Sequence, residues 1–306
     1  MAQNVDMFNA DPKSAADWIG TVPLDRPVLI AGPTASGKSG LALALARAQG
    51  RRIVNADALQ VYDSWRLLSA RPSLEEEAEV EHLLYGHVAH DQDYSVGHWL
   101  RDLGAILADD PRPVIVGGTG LYFSALTEGL AEIPATPSEV RALANARMEA
   151  EGHQPMLAEL DPKTAARIDQ LNPVRIQRAW EVLQATGRGL ADWQDDTGPA
   201  LLPLDQTCPL VLRPDPDWLG PRIDQRFDLM IRDGALDEVR AVLPIWQPTR
   251  PFARAIGAPE LVAHLTQGLP LDLAVEQSKT ATRQYAKRQR TWMRNRLKAW
   301  PALNLP

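Results

Sequence analysis

Eight residues, Gly32-Pro33-Thr34-Ala35-Ser36-Gly37-Lys38-Ser39, constrain this chain more than any other stretch. They match the pattern G-x-x-x-x-G-K-[ST] in full. Before them Val28-Leu29-Ile30-Ala31 is a short apolar run that reads as a buried strand. After them Leu41-Ala42-Leu43-Ala44-Leu45-Ala46 reads as a helix closed by Gly50. Strand, glycine-rich turn and helix in that order make a phosphate-binding loop. Glycines let backbone N–H groups curl around phosphate oxygens, and the helix N-terminus adds a positive field. Lys38 supplies a full charge, and the Ser39 hydroxyl is placed to ligate Mg²⁺. The loop implies a bound polyphosphate without saying which one.

The rest of the chain alternates in the same way. Arg52-Ile53-Val54-Asn55-Ala56-Asp57 reads as a second strand, and Pro113-Val114-Ile115-Val116 as another, running into Gly117-Gly118-Thr119-Gly120. Strands alternating with helices predict an α/β fold, a P-loop NTPase-like core with a parallel sheet and helical crossovers. From 136 to 202 the strand signals stop. Glu139 to Glu151 and Pro173 to Thr186 carry helical periodicity, the second ending at Gly187, and the stretch from Gly187 to Pro203 has linker composition. Leu210-Val211-Leu212 resumes as a strand. The segment between is therefore expected to be an all-helical insertion, with residues 1–26 a polar lead-in and 27–135 plus 203–306 the core. From Asp217 the pattern is helical almost to the end, broken at Gly234, Pro244 to Pro251 and Gly268.

Composition narrows the setting. No run of about 18 uncharged apolar residues occurs, so no membrane span is expected. The first six residues have neither a basic nor an apolar region, so no export signal is expected. The only cysteine, Cys208, excludes an internal disulfide and a cysteine-based zinc site, and fits a cytoplasmic protein. The net charge of −7 argues against nucleic-acid binding when taken as a total. Its distribution argues otherwise. From Lys279 to Lys298 there are eight basic residues and no acidic ones. Arg283, Lys287, Arg290 and Arg294 recur at i, i+4, i+7 and i+11, which puts them on one helix face. His82, His87, His90 and His98 lack a metal-ligand spacing and read as structural or surface residues.

The strand that ends in Gly117-Gly118-Thr119-Gly120 carries no carboxylate, although a P-loop hydrolase or kinase usually places one there to organise Mg²⁺. Small residues at that point let backbone and the Thr119 hydroxyl approach a ligand closely. Asp57, at the end of the second strand, would face the same crevice, because ligands sit beyond the carboxyl ends of parallel strands.

Seven blocks in order resemble the bacterial tRNA dimethylallyltransferases, also called IPP transferases. They are Gly32 to Ser39, Asn55-Ala56-Asp57-Ala58-Leu59-Gln60-Val61-Tyr62, and Val116-Gly117-Gly118-Thr119-Gly120-Leu121-Tyr122. There follow Asn172-Pro173-Val174-Arg175-Ile176-Gln177-Arg178-Ala179-Trp180-Glu181-Val182, then Arg226-Phe227 with Met230, Gly234 and Glu238-Val239. Arg254-Ala255-Ile256-Gly257 and Gln284-Tyr285-Ala286-Lys287-Arg288-Gln289 complete the set. The chain departs from the family pattern at Leu68-Ser69-Ala70-Arg71-Pro72, at Asp169-Gln170-Leu171-Asn172 and at Ala258.

That resemblance implies transfer of a dimethylallyl group from dimethylallyl diphosphate to N6 of adenosine 37 in the anticodon loop of tRNA. It makes Gly32, Thr34, Ala35, Ser36, Gly37, Lys38 and Ser39 the diphosphate-binding residues, with Ser39 on Mg²⁺. It makes Asp57, Thr119 and Arg254 the catalytic set, with Asp57 the candidate general base. Gln60, Arg167, Arg175, Arg178, Arg283, Lys287, Arg288 and Arg290 become candidate tRNA contacts, and a cytoplasmic monomer is expected. Three other readings share the loop: a small-molecule or nucleotide kinase, a prenyltransferase acting on free adenine nucleotides, and a non-catalytic RNA-binding protein switched by nucleotide. A kinase would need an acidic strand end, and a switch would not need Asp57 facing the phosphate loop. The basic C-terminal helix and the insertion favour tRNA over a free nucleotide.

Overall fold

The structure, a computed structural model, describes residues 14–306; residues 1–13, half of the expected lead-in, lie outside the described residues. The described residues form two compact units, one running to Thr127 and resuming over Leu201–Pro306, the other Glu128–Ala200.

The first unit is built on six parallel strands: β1 Val28–Ala31, β2 Ile53–Asn55, β3 His82–Leu83, β4 Val114–Gly117, β5 Cys208–Pro214 and β6 Ala302–Leu305. Their order across the sheet is β3-β2-β4-β1-β5-β6. Helices in chain order are α1 Ala15–Thr21, α2 Lys38–Gln49, α3 Leu74–Glu79, α4 Val96–Asp109 and α5 Gly120–Glu128. The second unit holds α6 Ser138–Glu151, α7 Gln154–Ala158, α8 Pro162–Arg167, α9 Pro173–Thr186 and α10 Leu190–Asp195. The first unit resumes with α11 Pro216–Arg232, α12 Ala235–Val242, α13 Ala258–Gln267 and the long α14 Leu271–Arg296.

A central parallel strand is covered on both faces, so it reads as a continuous apolar run. Successive side chains of β1 go to opposite faces of the sheet. Val28 and Ile30 pack with Leu41 and Leu45 of α2. Leu29 and Ala31 pack with Trp99 and Leu103 of α4 and with Phe123 and Leu126 of α5. A third core joins the loop residues Val61, Tyr62 and Trp65 to Phe227, Val239 and Leu261 of α11, α12 and α13. The second unit has its own small core of Ala144, Met156, Leu160, Ile176, Ala179 and Trp180.

Register determines where the site falls. Ala31 of β1 pairs with Gly117 of β4, and Asn55 of β2 pairs with Val116. The carboxyl ends of β1, β2 and β4 therefore finish together, and the three loops that follow them meet.

Several elements were not marked by the sequence. α1, in the stretch that reads as a polar lead-in, buries Trp18 and Val22 against the core. α10 occupies part of the stretch with linker composition. β3 and β6 are edge strands of two and four residues. β3 is too short to leave a pattern, and β6, Ala302-Leu303-Asn304-Leu305, lacks the unbroken apolar run that marks β1 and β4. Its register is set by pairing with β5, Val211 against Ala302.

Candidate active site

The loop between β1 and α2 is held open by its own backbone. Gly37 takes φ 86° as the N-cap of α2, with no side chain capping the helix. The first amides of α2 therefore point outward without an internal partner, which is the condition for anion binding at a helix start. Ala35 also has positive φ, 61°, a strained conformation for a residue with a Cβ and one that clusters at ligand sites. Lys38 Nζ donates to the Pro33 carbonyl at 3.3 Å across the loop. Ser36 is buried, its hydroxyl without a hydrogen-bond partner among the described residues. Gly32 lies beneath the loop, where a Cβ would come 2.7 Å from Ser36 Oγ.

Asn55, the last residue of β2, shapes the next loop. Its Oδ1 accepts the Asp57 N–H at 2.8 Å, and its Nδ2 donates to the carbonyls of Asp57 and Leu84, both at 2.9 Å. Asp57 Oδ1 accepts the Leu59 N–H at 3.0 Å. Oδ2 makes no hydrogen bond within the protein among the described residues, and Asp57 lines the cavity. The second glycine loop locks onto this turn. Gly117 sits flush against Ala56, whose carbonyl oxygen would be 2.0 Å from a Cβ. Thr119 N–H donates to the Ala56 carbonyl at 3.2 Å, and Thr119 Oγ1 accepts the Ala58 N–H at 3.0 Å. The interlocking brings Thr119 beside Asp57.

The loops after β1 and β2 border a cavity of about 430 Å³ lined by Thr34, Ala35, Gly37, Lys38, Ser39, Asp57 and Gln60, and by Arg222, Arg226 and Leu229 of α11; Thr119 stands behind Asp57 and does not line it. A smaller chamber of about 60 Å³ shares Thr34, Asp57, Ser69 and Arg226 with it and adds the apolar Leu59, Leu68, Phe227, Met230 and Ile256 beside Thr282 and Tyr285. The cationic cleft therefore adjoins a recess in which apolar side chains from Leu59, Leu68, Phe227, Met230 and Ile256 stand beside polar ones.

Charge in the cavity is arranged for an anion. Burial lowers the Lys38 ammonium to about 8; Asp57 opposes this shift and Arg226 adds to it. Burial likewise lowers the Arg226 guanidinium to about 10, against the pull of Asp57. Two cations held partly desolvated with one carboxylate between them gain when a polyanion enters. Burial, then the charge of Asp57, pushes the phenols of Tyr85, Tyr122 and Tyr285 upward, so they stay neutral donors.

The remaining expected residues are placed unevenly. Gln60 lines the cavity, but its Nε2 is committed to the carbonyls of Ser69 and Ala70, each at 2.8 Å. Arg254 ends a 3-10 turn, Pro251–Arg254, and is exposed; it does not line the cavity. On α14, Arg283 is bonded to Asp224 of α11, whereas Lys287 and Arg288 are exposed and Arg290 is half-buried. In the second unit Arg167 bonds Asp195 at 2.5 Å, Arg178 bonds Thr136 Oγ1 at 2.5 Å, and Arg175 is exposed at the start of α9. The four histidines hold local structure: His98 caps α4 with Ser95, and His82 Nδ1 contacts the Val80 carbonyl at 2.7 Å.

Sequence reasoning gave no role to Arg226, Arg222 or Gln289. Arg226 contacts the Thr34 hydroxyl and lines both cavities. Arg226 stands within the Arg226-Phe227 motif, but nothing in the run Pro216–Arg232 shows which face of the helix meets the phosphate loop.

The sequence profile described as IPP transferase matches residues 60–296, and one described as isopentenyl transferase matches residues 26–85. The tRNA dimethylallyltransferase of Cereibacter sphaeroides is 65% identical over 295 residues, covering 96% of this chain and 94% of the relative. That of Jannaschia sp. is 59% identical, covering 94% of this chain and 99% of the relative. Among solved structures, the tRNA isopentenylpyrophosphate transferase of Bacillus halodurans is 28% identical with a TM-score of 0.64, covering 92% of this chain and 90% of that one. A eukaryotic dimethylallyltransferase acting on tRNA is 26% identical with a TM-score of 0.76, covering 91% of this chain and 73% of that one.

Proposed function

The chain belongs to the IPP transferase family, and from that premise we propose that it transfers a dimethylallyl group from dimethylallyl diphosphate to N6 of adenosine 37 in the anticodon loop of tRNA. The observation that carries this reading is the junction at Asp57, where a cationic phosphate cleft meets a smaller chamber walled in part by Leu59, Leu68, Phe227, Met230 and Ile256.

The diphosphate end of the donor lies in the larger cavity against the loop amides, Lys38 and Arg226, and the five-carbon end enters the chamber beside Leu68 and Met230. In the reaction the N6–C1 bond forms and the C1–O bond breaks. The electron pair of that bond leaves on diphosphate, where fixed donors act most strongly because charge is developing there. The N6 proton passes to Asp57, which lines both cavities. Thr119 lies beside the breaking bond, anchored through Ala58. Arg254 reaches the diphosphate only if the 3-10 turn that carries it moves with substrate.

The donor set suits Mg²⁺. That ion takes oxygen ligands and keeps several waters. Ser39 offers a hydroxyl at the mouth of the loop, and no cluster of three metal-ligating side chains stands among the described residues. Mg²⁺ held by Ser39 and the diphosphate would neutralise charge on the leaving group.

The RNA is gripped through phosphates by Lys287, Arg288 and Arg290 of α14, with Arg283, and by Arg175, Arg167 and Arg178 of the helical unit, while Gln60 meets the flipped adenosine. Extracting that base costs a few kcal/mol, less in a loop than in a duplex. The proposal places the enzyme in the cytoplasm as a monomer. Among the described residues no helix is long and apolar enough to cross a membrane.

The test is incubation with Mg²⁺, labelled dimethylallyl diphosphate and either unmodified tRNA or AMP, followed by nucleoside analysis. Label at N6 of one adenosine in tRNA is the expected result. Label in AMP alone moves the chain to the free-nucleotide enzymes. ATP turnover without prenyl transfer returns it to the kinases or switches.

A further inference from the structure

The backbone ladder between β1 and β4 stops where the site begins, its last bond running from the Gly32 N–H to the Gly117 carbonyl at 3.3 Å. Beyond that point one side chain, from near the end of the chain, joins the two loops. Gln289 of α14, 6% exposed, accepts the Thr34 N–H at Oε1 and donates from Nε2 to the Gly118 carbonyl, each at 2.9 Å. The carboxamide can sit only one way round, since its nitrogen cannot accept from Thr34 and its oxygen cannot donate to Gly118. The fit leaves no slack: a Cβ on Gly118 would come 2.2 Å from Nε2. The Tyr285 hydroxyl, one turn earlier, lies near the side chains of Gln289 and Thr119.

On the reading proposed above, we infer that Gln289 is a positioning residue. Its carboxamide holds the loop that receives the diphosphate and the loop that presents Thr119 at a fixed separation. The side chain lines neither cavity, so it acts through Thr34 and Gly118 and not on the substrate itself. With the two loops already tied, no ordering is required when the donor binds, and the donors to the leaving group stand in place beforehand. The alternative is a buried glutamine that adds stability and nothing else. The two roles differ in what they do to a folded protein.

The experiment compares wild type with Gln289→Leu, Gln289→Ala, Gly118→Ala and the Gln289→Ala/Gly118→Ala pair. Thermal melting sets the folded fraction, calorimetry measures the affinity for inorganic diphosphate with Mg²⁺, and prenyl transfer gives kcat and the KM for tRNA. Folded Gln289→Leu is expected to bind diphosphate about tenfold more weakly, the size of one lost hydrogen bond. Its kcat is expected to fall about a hundredfold, the cost of a misplacement of roughly 1 Å, with KM for tRNA within about twofold. Gly118→Ala should reproduce these losses, because its methyl expels the amide. The paired variant should be no worse than Gln289→Ala, which leaves room for that methyl.

Diphosphate affinity and kcat at wild-type values in folded Gln289→Leu overturn the proposal, even if its melting temperature drops. Losses that simply add in the paired variant overturn it too. The calorimetric arm needs no reaction. A wild-type protein that binds diphosphate and transfers no prenyl group therefore sinks the proposed activity while the affinity comparison still decides the role of Gln289.

Discussion

Asn55 clasps Asp57 on both sides of one turn, accepting its N–H at 2.8 Å and donating to its carbonyl at 2.9 Å. The clasp is fixed from behind, since Trp99 Nε1 donates to the Asn55 carbonyl at 2.7 Å and Asn55 is fully buried. Asn55→Ala removes the clasp and strands the carbonyls of Asp57 and Leu84. Each buried polar group left unpaired costs about 1–3 kcal/mol, so a clear fall in melting temperature is expected. In the protein that remains folded, kcat should drop about a hundredfold as the carboxylate loses its aim. An unchanged kcat in folded Asn55→Ala would show that Asp57 needs no such support.

Asp57 itself separates binding from chemistry. One oxygen accepts the Leu59 N–H, the other makes no hydrogen bond within the protein among the described residues, and the residue lines the cavity. Asp57→Ala should reduce kcat by roughly 10²- to 10⁴-fold, the usual worth of a positioned base. The affinity for tRNA, set by phosphate contacts elsewhere, should hardly move. Filter binding beside single-turnover kinetics decides the matter, and parallel losses in both would remove the role of base.

Much of this site was legible because its parts are local in sequence. The phosphate loop is one continuous octet, and Asn55 to Asp57 and Gly117 to Thr119 stand at strand ends whose apolar runs mark them. The helices α6 and α9 came close to their observed bounds because proline, glycine and periodicity punctuate them. Arg226 and Gln289 were not legible as site residues. Each lies in a long helix, and only tertiary packing decides which of its faces meets a loop some 190 or 255 residues away in the chain. Arg254 shows the converse, a residue named from a motif that the fold leaves exposed outside the cavity.

Lys38 predicts a dependence on pH. Its ammonium titrates at about 8 in the folded protein, below the ordinary 10.5 of an unfolded chain. The sign follows: the charged form is disfavoured in the fold, so the cost is complete below about pH 8. Stability of the free protein then rises with pH between about 8 and 10.5, where only the unfolded chain keeps the proton. Diphosphate recognition runs the other way. The kcat/KM for donor should fall by up to about tenfold per unit above pH 8, since a neutral lysine offers no charge. Lys38→Arg should carry no such break, and Lys38→Met should melt higher than wild type without donor while binding none. A break retained in Lys38→Arg would assign it to another group.

The proposed function makes the smaller chamber the seat of the five-carbon group, so its walls should limit the length of the donor. Its volume is about 60 Å³, and Phe227 and Met230 belong to the buried core behind it. Met230→Ala should deepen the recess at a cost to stability of about 2–5 kcal/mol. Wild type should strongly prefer the five-carbon donor to geranyl diphosphate, which adds five carbons. The variant should narrow that preference about tenfold, within the 1–3 kcal/mol that an apolar pocket discriminates. Mass spectrometry of the modified nucleoside reads the outcome, and an unaltered ratio would place the prenyl tail elsewhere.

Salt dependence tells apart basic residues that the sequence presents as equals. Arg283, Lys287 and Arg290 share one face of α14, yet Arg283 is already paired with Asp224 and Lys287 is exposed with no ion pair among the described residues. A cation that meets a phosphate releases counterions, and the slope of log affinity against log salt loses about one unit for each such contact removed. A cation already neutralised by a carboxylate has less to contribute, because the RNA must first displace its partner. Lys287→Gln and Arg290→Gln should therefore each flatten the slope for tRNA by roughly one, whereas Arg283→Gln should flatten it by much less. Asp224→Asn frees Arg283 and should steepen the slope. If Arg283→Gln flattens it as much as Lys287→Gln does, the pair with Asp224 opens on binding and all three residues reach the RNA backbone.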